Sequence, residues 1–182
     1  RRNIVVLTTV EEVVEPVAQM TVAMILALAR NLPLHCTDMR AGRWRKQEGH
    51  LLSEWTIGLV GFGRIGRAVE RYLRIFGAKV IVTDPNVVVS EIPPGVQMCD
   101  LASLLGQADL VSLHAANRQE EGPIIGRSEI RAMKPGSRLV NTARGHLVDE
   151  KALFDALESG HLSGAALDVF EIDAASNRGI DE

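Results

Sequence analysis

The chain contains 182 residues, the usual length of one domain. Hydrophobic residues make up 46% and charged residues 24%, which excludes a disordered or collagen-like chain. The formal net charge of −3 gives no pull toward nucleic acid or an acidic membrane, and no apolar stretch approaches the roughly 20 residues of a membrane span. Two cysteines, Cys36 and Cys99, cannot build a disulfide framework and lack the spacing of metal ligands. We therefore expect a cytoplasmic protein without a bound metal.

The first part of the chain predicts one strand and two helices. Residues 3–8 (NIVVLT) are apolar and β-branched, which favours a strand. Residues 17–30 predict a helix with Pro16 in its first turn. Residues 34–44 predict a second helix, and residues 46–54 a polar connector. Because the first helix is apolar nearly all round, we expect it to be covered on more than one side.

From residue 56 onward, strands and helices alternate. Asp100 and Asp149 are predicted N-caps, and Gly77 ends the helix before it. The alternation is typical of βαβ units, so we predict a doubly wound α/β fold with a parallel sheet covered on both faces. Strands are predicted at residues 56–60, 79–83, 96–98, 110–114, 137–142 and 164–169, and helices at residues 64–76, 100–107, 127–133 and 150–158.

A glycine-rich turn joins the first strand of this series to its helix. Gly61, Gly63 and Gly66 form the pattern GxGxxG, with Arg64 and Ile65 between the last two glycines. The first glycine permits a tight turn, the second lets the backbone approach a pyrophosphate, and the third lets helix and strand pack closely. The start of the helix adds free N–H groups. We predict that these five residues bind a dinucleotide.

Asp84 ends the next strand, 18 residues after Gly66. A carboxylate there can accept hydrogen bonds from a ribose 2′-hydroxyl and would repel a 2′-phosphate, so NAD is favoured over NADP. The alternative is a turn aspartate before Pro85, in a sheet that uses its glycines only for packing.

Two charged residues follow later strands. Arg144 comes after SRLVNT and Asp168 lies near the end of GAALDV, 24 residues further on, so both should emerge at the edge that carries the glycine loop. Arg144 could hold a carboxylate through two parallel N–H···O bonds and polarise an adjacent carbonyl. The alternative is that the two residues only form a structural ion pair.

Four segments carry a family resemblance: VAQMTVAMILALAR, GLVGFGRIGRAV, VSLHA and MKPGSRLVNTARGHLVDEKALFDALESGHLSGAALDVFE. They resemble the D-isomer-specific 2-hydroxyacid dehydrogenases, which include phosphoglycerate, glycerate/hydroxypyruvate, D-lactate and formate dehydrogenases. The resemblance implies an NAD-dependent oxidoreductase that interconverts a D-2-hydroxy acid and its 2-oxo acid. It further implies that residues 15–182 are the NAD-binding domain with its interdomain helix. Residues 1–14 would then be a remnant of a substrate domain that is mostly absent from this chain.

The resemblance also implies residue roles. Arg144 matches the arginine that binds and polarises the 2-oxo acid, and Asp168 matches an aspartate near the nicotinamide. His114 matches a histidine at a strand end that lines the cofactor. Thr142 and Ala143 would line the nicotinamide pocket. The interdomain helix neighbours the subunit contact in this family, so we expect a homodimer.

Two departures from the family pattern concern the proton donor. Asp173 takes the place of the glutamate that orients the catalytic histidine, and the Pro-His segment carrying that histidine is not in this chain. His146 is the one histidine near Arg144, although a solvated loop residue is the preferred interpretation. The activity of this chain alone is therefore left open. The alternative function is a non-catalytic NAD-binding module that senses the dinucleotide.

Overall fold

The computed structural model describes residues 12–46, 48–116 and 122–171. The strand predicted at residues 3–8 and the predicted site residue Asp173 lie outside the described residues. Short 3₁₀ turns occur at Leu52–Glu54, Val89–Glu91 and Gly145–Leu147. The helices and strands are α1 (Val14–Ala29), α2 (Leu32–Arg40), β1 (Thr56–Val60), α3 (Arg64–Ile75), β2 (Lys79–Thr83), β3 (Gln97–Met98), α4 (Leu101–Gln107), β4 (Leu110–Leu113), α5 (Arg127–Ala132), β5 (Arg138–Asn141), α6 (Glu150–Glu158) and β6 (Gly164–Leu167).

The six strands form one parallel sheet in the order β3-β2-β1-β4-β5-β6. The chain first builds outward from β1 to β3 and then returns to the other side of β1 with β4. The prediction of a doubly wound α/β fold is confirmed. Because the strand order reverses between β1 and β4, the carboxyl ends of these two strands flank a crevice in which such sheets bind ligands.

Helices cover both faces of the sheet. On one face, α1 and α3 pack on Ile57 and Leu59 of β1, both fully buried. On the other face, α4, α5 and α6 pack on Val111 and Leu113 of β4, also fully buried. The nearly continuous apolar character of these strands follows from this two-sided burial.

The predicted helix ends agree with the structure in several places. Asp100 caps α4 by accepting the N–H of Ser103 at 2.7 Å, and Asp149 caps α6 by accepting the N–H of Ala152 at 2.9 Å. Gly77 follows α3 with a φ of +73°, the left-handed conformation that suits glycine. Local sequence signals therefore determine where these helices begin and end.

The second helix is shorter than predicted, ending at Arg40 rather than residue 44. Gly42 adopts a φ of +68°, which ends the helical backbone. The chain then folds back, because Arg43 donates its N–H to the carbonyl of Asp38 at 2.8 Å and pairs with the buried carboxylate of Asp38 at 2.8 Å. Strands β3, β4, β5 and β6 are also one to two residues shorter than predicted.

Helix α1 is buried on one side and exposed on another. Ala18, Ile25 and Ala29 are fully buried against the domain, whereas Met20 is 47% exposed and Trp44, beyond α2, is 85% exposed. This domain alone therefore covers only part of the apolar helix. Within the described residues no single helix has the length and apolar character to cross a membrane, and only α1 and α2 together, bent by 65°, meet that test.

Candidate functional site

The three glycines of the loop meet three different environments. A Cβ on Gly61, whose φ is +96°, would lie 2.6 Å from the backbone of His114, and a Cβ on Gly66 would lie 2.5 Å from the carbonyl oxygen of Gly61. A Cβ on Gly63 would meet no protein atom within 4 Å. The first and third glycines are thus required by the fold. The second borders open space at the start of α3, where a pyrophosphate could approach the backbone.

The two residues between the last two glycines differ in exposure. Arg64 is exposed at the first position of α3, and Ile65 is half-buried against the apolar cluster beneath α1 and α3. Of the two, Arg64 faces the solvent at the helix start, and Ile65 anchors the helix to the domain.

The carboxylate of Asp84 lies beside the glycine loop. Its Oδ2 accepts the N–H of Phe62 at 2.8 Å, and its Oδ1 accepts the N–H of Asn86 at 2.8 Å. A carboxylate has about four lone-pair sites, so both oxygens can still accept hydroxyl hydrogen bonds. The residue therefore holds the loop and keeps capacity for a ribose.

A cavity of about 630 Å³ opens between these residues. Gly61, Gly63 and Asp84 line it, together with the apolar side chains of Leu101 and Ile124. A polar end beside a helix N-terminus and an apolar wall match the two parts of a dinucleotide, its pyrophosphate-ribose and its flat adenine ring. The residues present thus fit the predicted cofactor.

His114 follows β4 and lines the same cavity. Its Nε2 lies 3.0 Å from the hydroxyl of Ser112, and its buried Nδ1 has no hydrogen-bond partner among the described residues. Burial lowers the pKa of His114 to about 4, so the imidazole is neutral at pH 7. The ring therefore lies at the cavity wall without charge and does not suit proton donation near neutral pH.

Arg144 lies in the turn that follows β5, and Asn141 braces that turn. The Asn141 side chain accepts the N–H of Ala143 at 3.0 Å and donates to the carbonyl of Arg144 at 2.8 Å. Arg144 itself is exposed, and its guanidinium donates to the carbonyl of Ala143 at 2.7 Å. No ion pair joins Arg144 to Asp168 in the described part of the chain, so the structural ion pair weighed above is not formed.

Thr142 and Asp168 lie side by side, because Asn141 of β5 is in register with Leu167 of β6. The side chain of Asp168 is exposed, and its N–H donates to the carbonyl of Asn141 at 3.0 Å. The buried hydroxyl of Thr142 lies 2.8 Å from that of Thr21 on α1. The end of β5 is thus tied to the helix that the resemblance assigns to the interdomain connection.

The chain after β6 returns to the Arg144 turn. A Cβ on Gly145 would overlap the backbone of Phe170, so only glycine allows this approach. The N–H of Glu171 donates to the carboxylate of Glu150, at the start of α6, at 2.6 Å. His146 is half-buried in the 3₁₀ turn that follows Arg144.

Sequence reasoning missed several residues that support the site: Thr21, Asn141, Gly145 and Glu150. Asn141 carried a usable signal, since an asparagine at a strand end often bonds the backbone two residues on. The other three act through contacts between distant segments, which no local pattern encodes.

Among the described residues, no group of three or more His, Cys, Asp or Glu side chains could hold a metal ion.

Comparisons with known proteins agree with this arrangement. The family model of the D-isomer specific 2-hydroxyacid dehydrogenase NAD binding domain matches residues 22–178. Hydroxypyruvate reductase of Thermotoga maritima is 37% identical, and the match covers 94% of this chain and 56% of that protein. D-3-phosphoglycerate dehydrogenase of Methanocaldococcus jannaschii is 40% identical over 85% of this chain and 30% of that protein.

Among solved structures, the D-lactate dehydrogenase of Aquifex aeolicus complexed with NAD and lactic acid aligns with a TM-score of 0.81 at 36% identity. The alignment covers 86% of this chain and 48% of that one, so this chain spans about half the length of such relatives or less. The glycine loop, the Asp84 carboxylate and the residues that line the cavity all lie within the part of the chain that this family model matches. The chain belongs to the D-isomer specific 2-hydroxyacid dehydrogenase family, and it is an NAD-binding domain of that family.

Proposed function

We propose that this chain is the cofactor-binding portion of an NAD-dependent oxidoreductase that interconverts a D-2-hydroxy acid and its 2-oxo acid. The observation that carries the proposal is the braced, exposed Arg144 at the sheet edge that also bears the cofactor cavity. The relatives are named for hydroxypyruvate, glyoxylate and 3-phosphoglycerate, which supports substrates of these types.

In this proposal Arg144 binds the carboxylate of the substrate and polarises its neighbouring carbonyl oxygen. A planar guanidinium can donate two parallel hydrogen bonds to a carboxylate and stabilise charge that develops on the adjacent oxygen. NAD, when bound, supplies or accepts the hydride at the substrate carbon. Asp168, Thr142 and Ala143 border the nicotinamide end, and His114 together with the glycine loop and Asp84 holds the remainder of the cofactor.

In this proposal the proton for the forming hydroxyl comes from a group outside the described residues. Burial lowers the pKa of His114 to about 4, so it is not a proton donor near neutral pH. We propose that sequence outside this chain supplies an imidazolium and that Asp173 orients it. Residues 1–14 would then belong to the substrate domain and residues 15–182 to the NAD-binding domain.

The exposed apolar side of α1 and α2 supports a second part of the proposal, a homodimer. Met20, Leu32 and Met39 are each about half exposed, which is unusual for large apolar side chains on neighbouring helices. A second copy would bury them, since most homo-oligomers are twofold symmetric dimers. Sedimentation over a range of concentrations tests this, and a monomer at every concentration would contradict it.

A cytoplasmic location is a further part of the proposal, supported by the two unpaired cysteines.

The activity is tested by NADH oxidation at 340 nm with hydroxypyruvate, glyoxylate or phosphohydroxypyruvate, using the full-length protein that contains this chain. Arg144→Gln should lower kcat/KM about 100- to 1000-fold and leave the NADH dissociation constant unchanged. Arg131→Gln, an exposed arginine on α5, is the matched control. A full-length protein that binds NADH tightly but reduces none of these acids would refute the proposal in favour of the non-catalytic module. No observation on the described residues favours that module.

A further inference from the structure

A second cavity, of about 350 Å³, lies at the opposite edge of the sheet, where β1, β5 and β6 begin. Its polar and aromatic lining includes His50, Trp55, Asp109, Lys134, Ser137 and Arg138. None of these residues takes part in the NAD site, so the proposed function does not account for them.

Arg138 is a partly buried cation without a hydrogen-bonded partner. Its guanidinium lies over the indole ring of Trp55, 4.7 Å from the ring centre, and Trp55 is itself only 5% exposed. Burial lowers the pKa of Arg138, opposed by the negative charge of Asp109. The guanidinium donates no hydrogen bond within the described part of the chain. Its five N–H donors thus have no acceptor among the described residues and are open to a ligand in the cavity.

The nearby carboxylate, that of Asp109, already forms an ion pair with Lys134. Asp109 accepts the N–H of Thr56 at 2.8 Å through one oxygen, and its other oxygen pairs with the ammonium of Lys134. The cavity therefore holds two cations, Lys134 and Arg138, against a single carboxylate, and that carboxylate is paired with Lys134. The surplus positive charge lies on Arg138.

Ser137 supplies an independent observation. The residue is 3% exposed, and its Oγ has no hydrogen-bond partner among the described residues. Most buried hydroxyls in proteins are hydrogen-bonded to protein or to ordered water, so this hydroxyl beside the cavity is a donor that a ligand can engage. The acceptor that would also satisfy Arg138 is an anion with several oxygens.

We propose that this cavity binds a phosphate group, carried by free phosphate or by a small phosphate monoester. The planar fork of Arg138 can take two phosphate oxygens, the Ser137 hydroxyl can donate to a third, and Lys134 adds positive charge from another direction. The Trp55 ring fixes the guanidinium plane before the anion arrives. The cavity is larger than one phosphate ion, which leaves room for a small organic substituent.

The test is calorimetric titration of sodium phosphate into the protein at pH 7 and constant ionic strength. NADH is kept saturating, so that phosphate cannot occupy the glycine loop. Saturable binding of one phosphate is expected. Arg138→Gln should weaken it at least tenfold and Ser137→Ala about threefold to tenfold, whereas Arg131→Gln should leave it unchanged. NADH affinity, which reports the opposite edge of the sheet, shows that each variant is folded.

Glycerol phosphate and acetate distinguish the source of the anion. Tighter binding of glycerol phosphate than of free phosphate would support a monoester ligand, and the reverse would support free phosphate. Binding of acetate as tight as that of phosphate would overturn the assignment of a phosphate site. So would the absence of saturable phosphate binding, or equal binding by the wild type and both cavity variants. A failure of 2-oxo acid reduction bears only on the proposed function, because this cavity contains none of its residues.

Discussion

The separate roles of the loop glycines can be tested with two substitutions that add the same methyl group. In Gly66→Ala the new Cβ would lie 2.5 Å from the carbonyl oxygen of Gly61. Backbone atoms must then move by about 1 Å to reach an ordinary contact distance near 3.5 Å. Such overpacking costs about 1–3 kcal/mol of unfolding free energy. In a chain of 182 residues, about 2 kcal/mol lowers the Tm by roughly 4–8 °C.

In Gly63→Ala the methyl group meets no protein atom, and the φ of −76° and ψ of −157° are open to alanine. Because Gly63 is the N-cap of α3, where glycine is favoured over alanine, the unfolding free energy should fall by about 0.5 kcal/mol, less than in Gly66→Ala. The same methyl group stands where the backbone would approach a pyrophosphate. Losing one or two hydrogen bonds to that charged group removes about 3 kcal/mol, which weakens NADH binding roughly 100-fold.

Differential scanning calorimetry and NADH fluorescence titration measure the two effects separately. Gly106→Ala is the control, because Gly106 lies in α4 with no atom within 4 Å of a built Cβ. It should raise stability by about 0.5–1 kcal/mol and leave NADH affinity as it is. The reasoning is refuted if Gly63→Ala binds NADH like the wild type. It is equally refuted if Gly63→Ala lowers the Tm as much as Gly66→Ala does.

Three other side chains give predictions of this kind. Asp84→Asn keeps the size of the side chain but removes its charge, so NADH affinity should fall about tenfold and the preference for NADH over NADPH should shrink in fluorescence titrations. Burial lowers the pKa of His114 to about 4, below the ~6.5 of an unfolded chain. The unfolded state therefore binds the proton first as the pH falls. The unfolding free energy should decrease by up to about 3 kcal/mol between about pH 6.5 and about pH 4. In urea unfolding, His114→Gln should show a weaker dependence of the unfolding free energy on pH. Thr21→Val removes the buried hydroxyl next to Thr142 and should lower the unfolding free energy by about 1–2 kcal/mol. Thr21→Ser keeps a hydroxyl and should lower it much less. The argument on Asp84 is contradicted if Asp84→Asn keeps the preference for NADH over NADPH. The argument on His114 is contradicted if His114→Gln has an equally steep pH profile, and the one on Thr21 if both Thr21 variants lose the same stability.

The features that sequence predicts well are those encoded by neighbours in the chain. The strand before Gly61, the helix after it and the caps Asp100 and Asp149 depend on residues a few positions apart. The parallel order of the sheet follows from the alternation of strands and helices, because a parallel pair needs a crossover. The end of α2 was missed because propensity favoured continuing the helix, whereas the left-handed Gly42 and the pairing of Asp38 with Arg43 stop it.

Contacts between distant segments determine the features of the site that the sequence did not predict. The buried hydroxyl of Thr142, just after β5, is hydrogen-bonded to that of Thr21, more than a hundred residues earlier in the chain. The hydrogen bond from the Phe62 N–H to Asp84 needs β1 and β2 to be paired in register, whereas the bond from the Asn86 N–H is local. A pattern of residue types shows that an acid follows β2, but the pairing of two strands determines which N–H groups it receives.

The turn that carries Arg144 shows how this placement serves a binding site. Asn141 satisfies backbone groups on both sides of the turn, and Gly145 lets the backbone at Phe170 pack directly against it. The carboxylate of Glu150 then holds the N–H of Glu171. The turn is thus fixed by main-chain contacts from three segments, and none of the described carboxylates forms an ion pair with the arginine. An arginine held by an acid would have to give up that partner before binding a carboxylate ligand, and the lost ion pair would weaken the binding. Since the backbone fixes the turn here, the outward donors of Arg144 remain available to the anionic substrate that we propose.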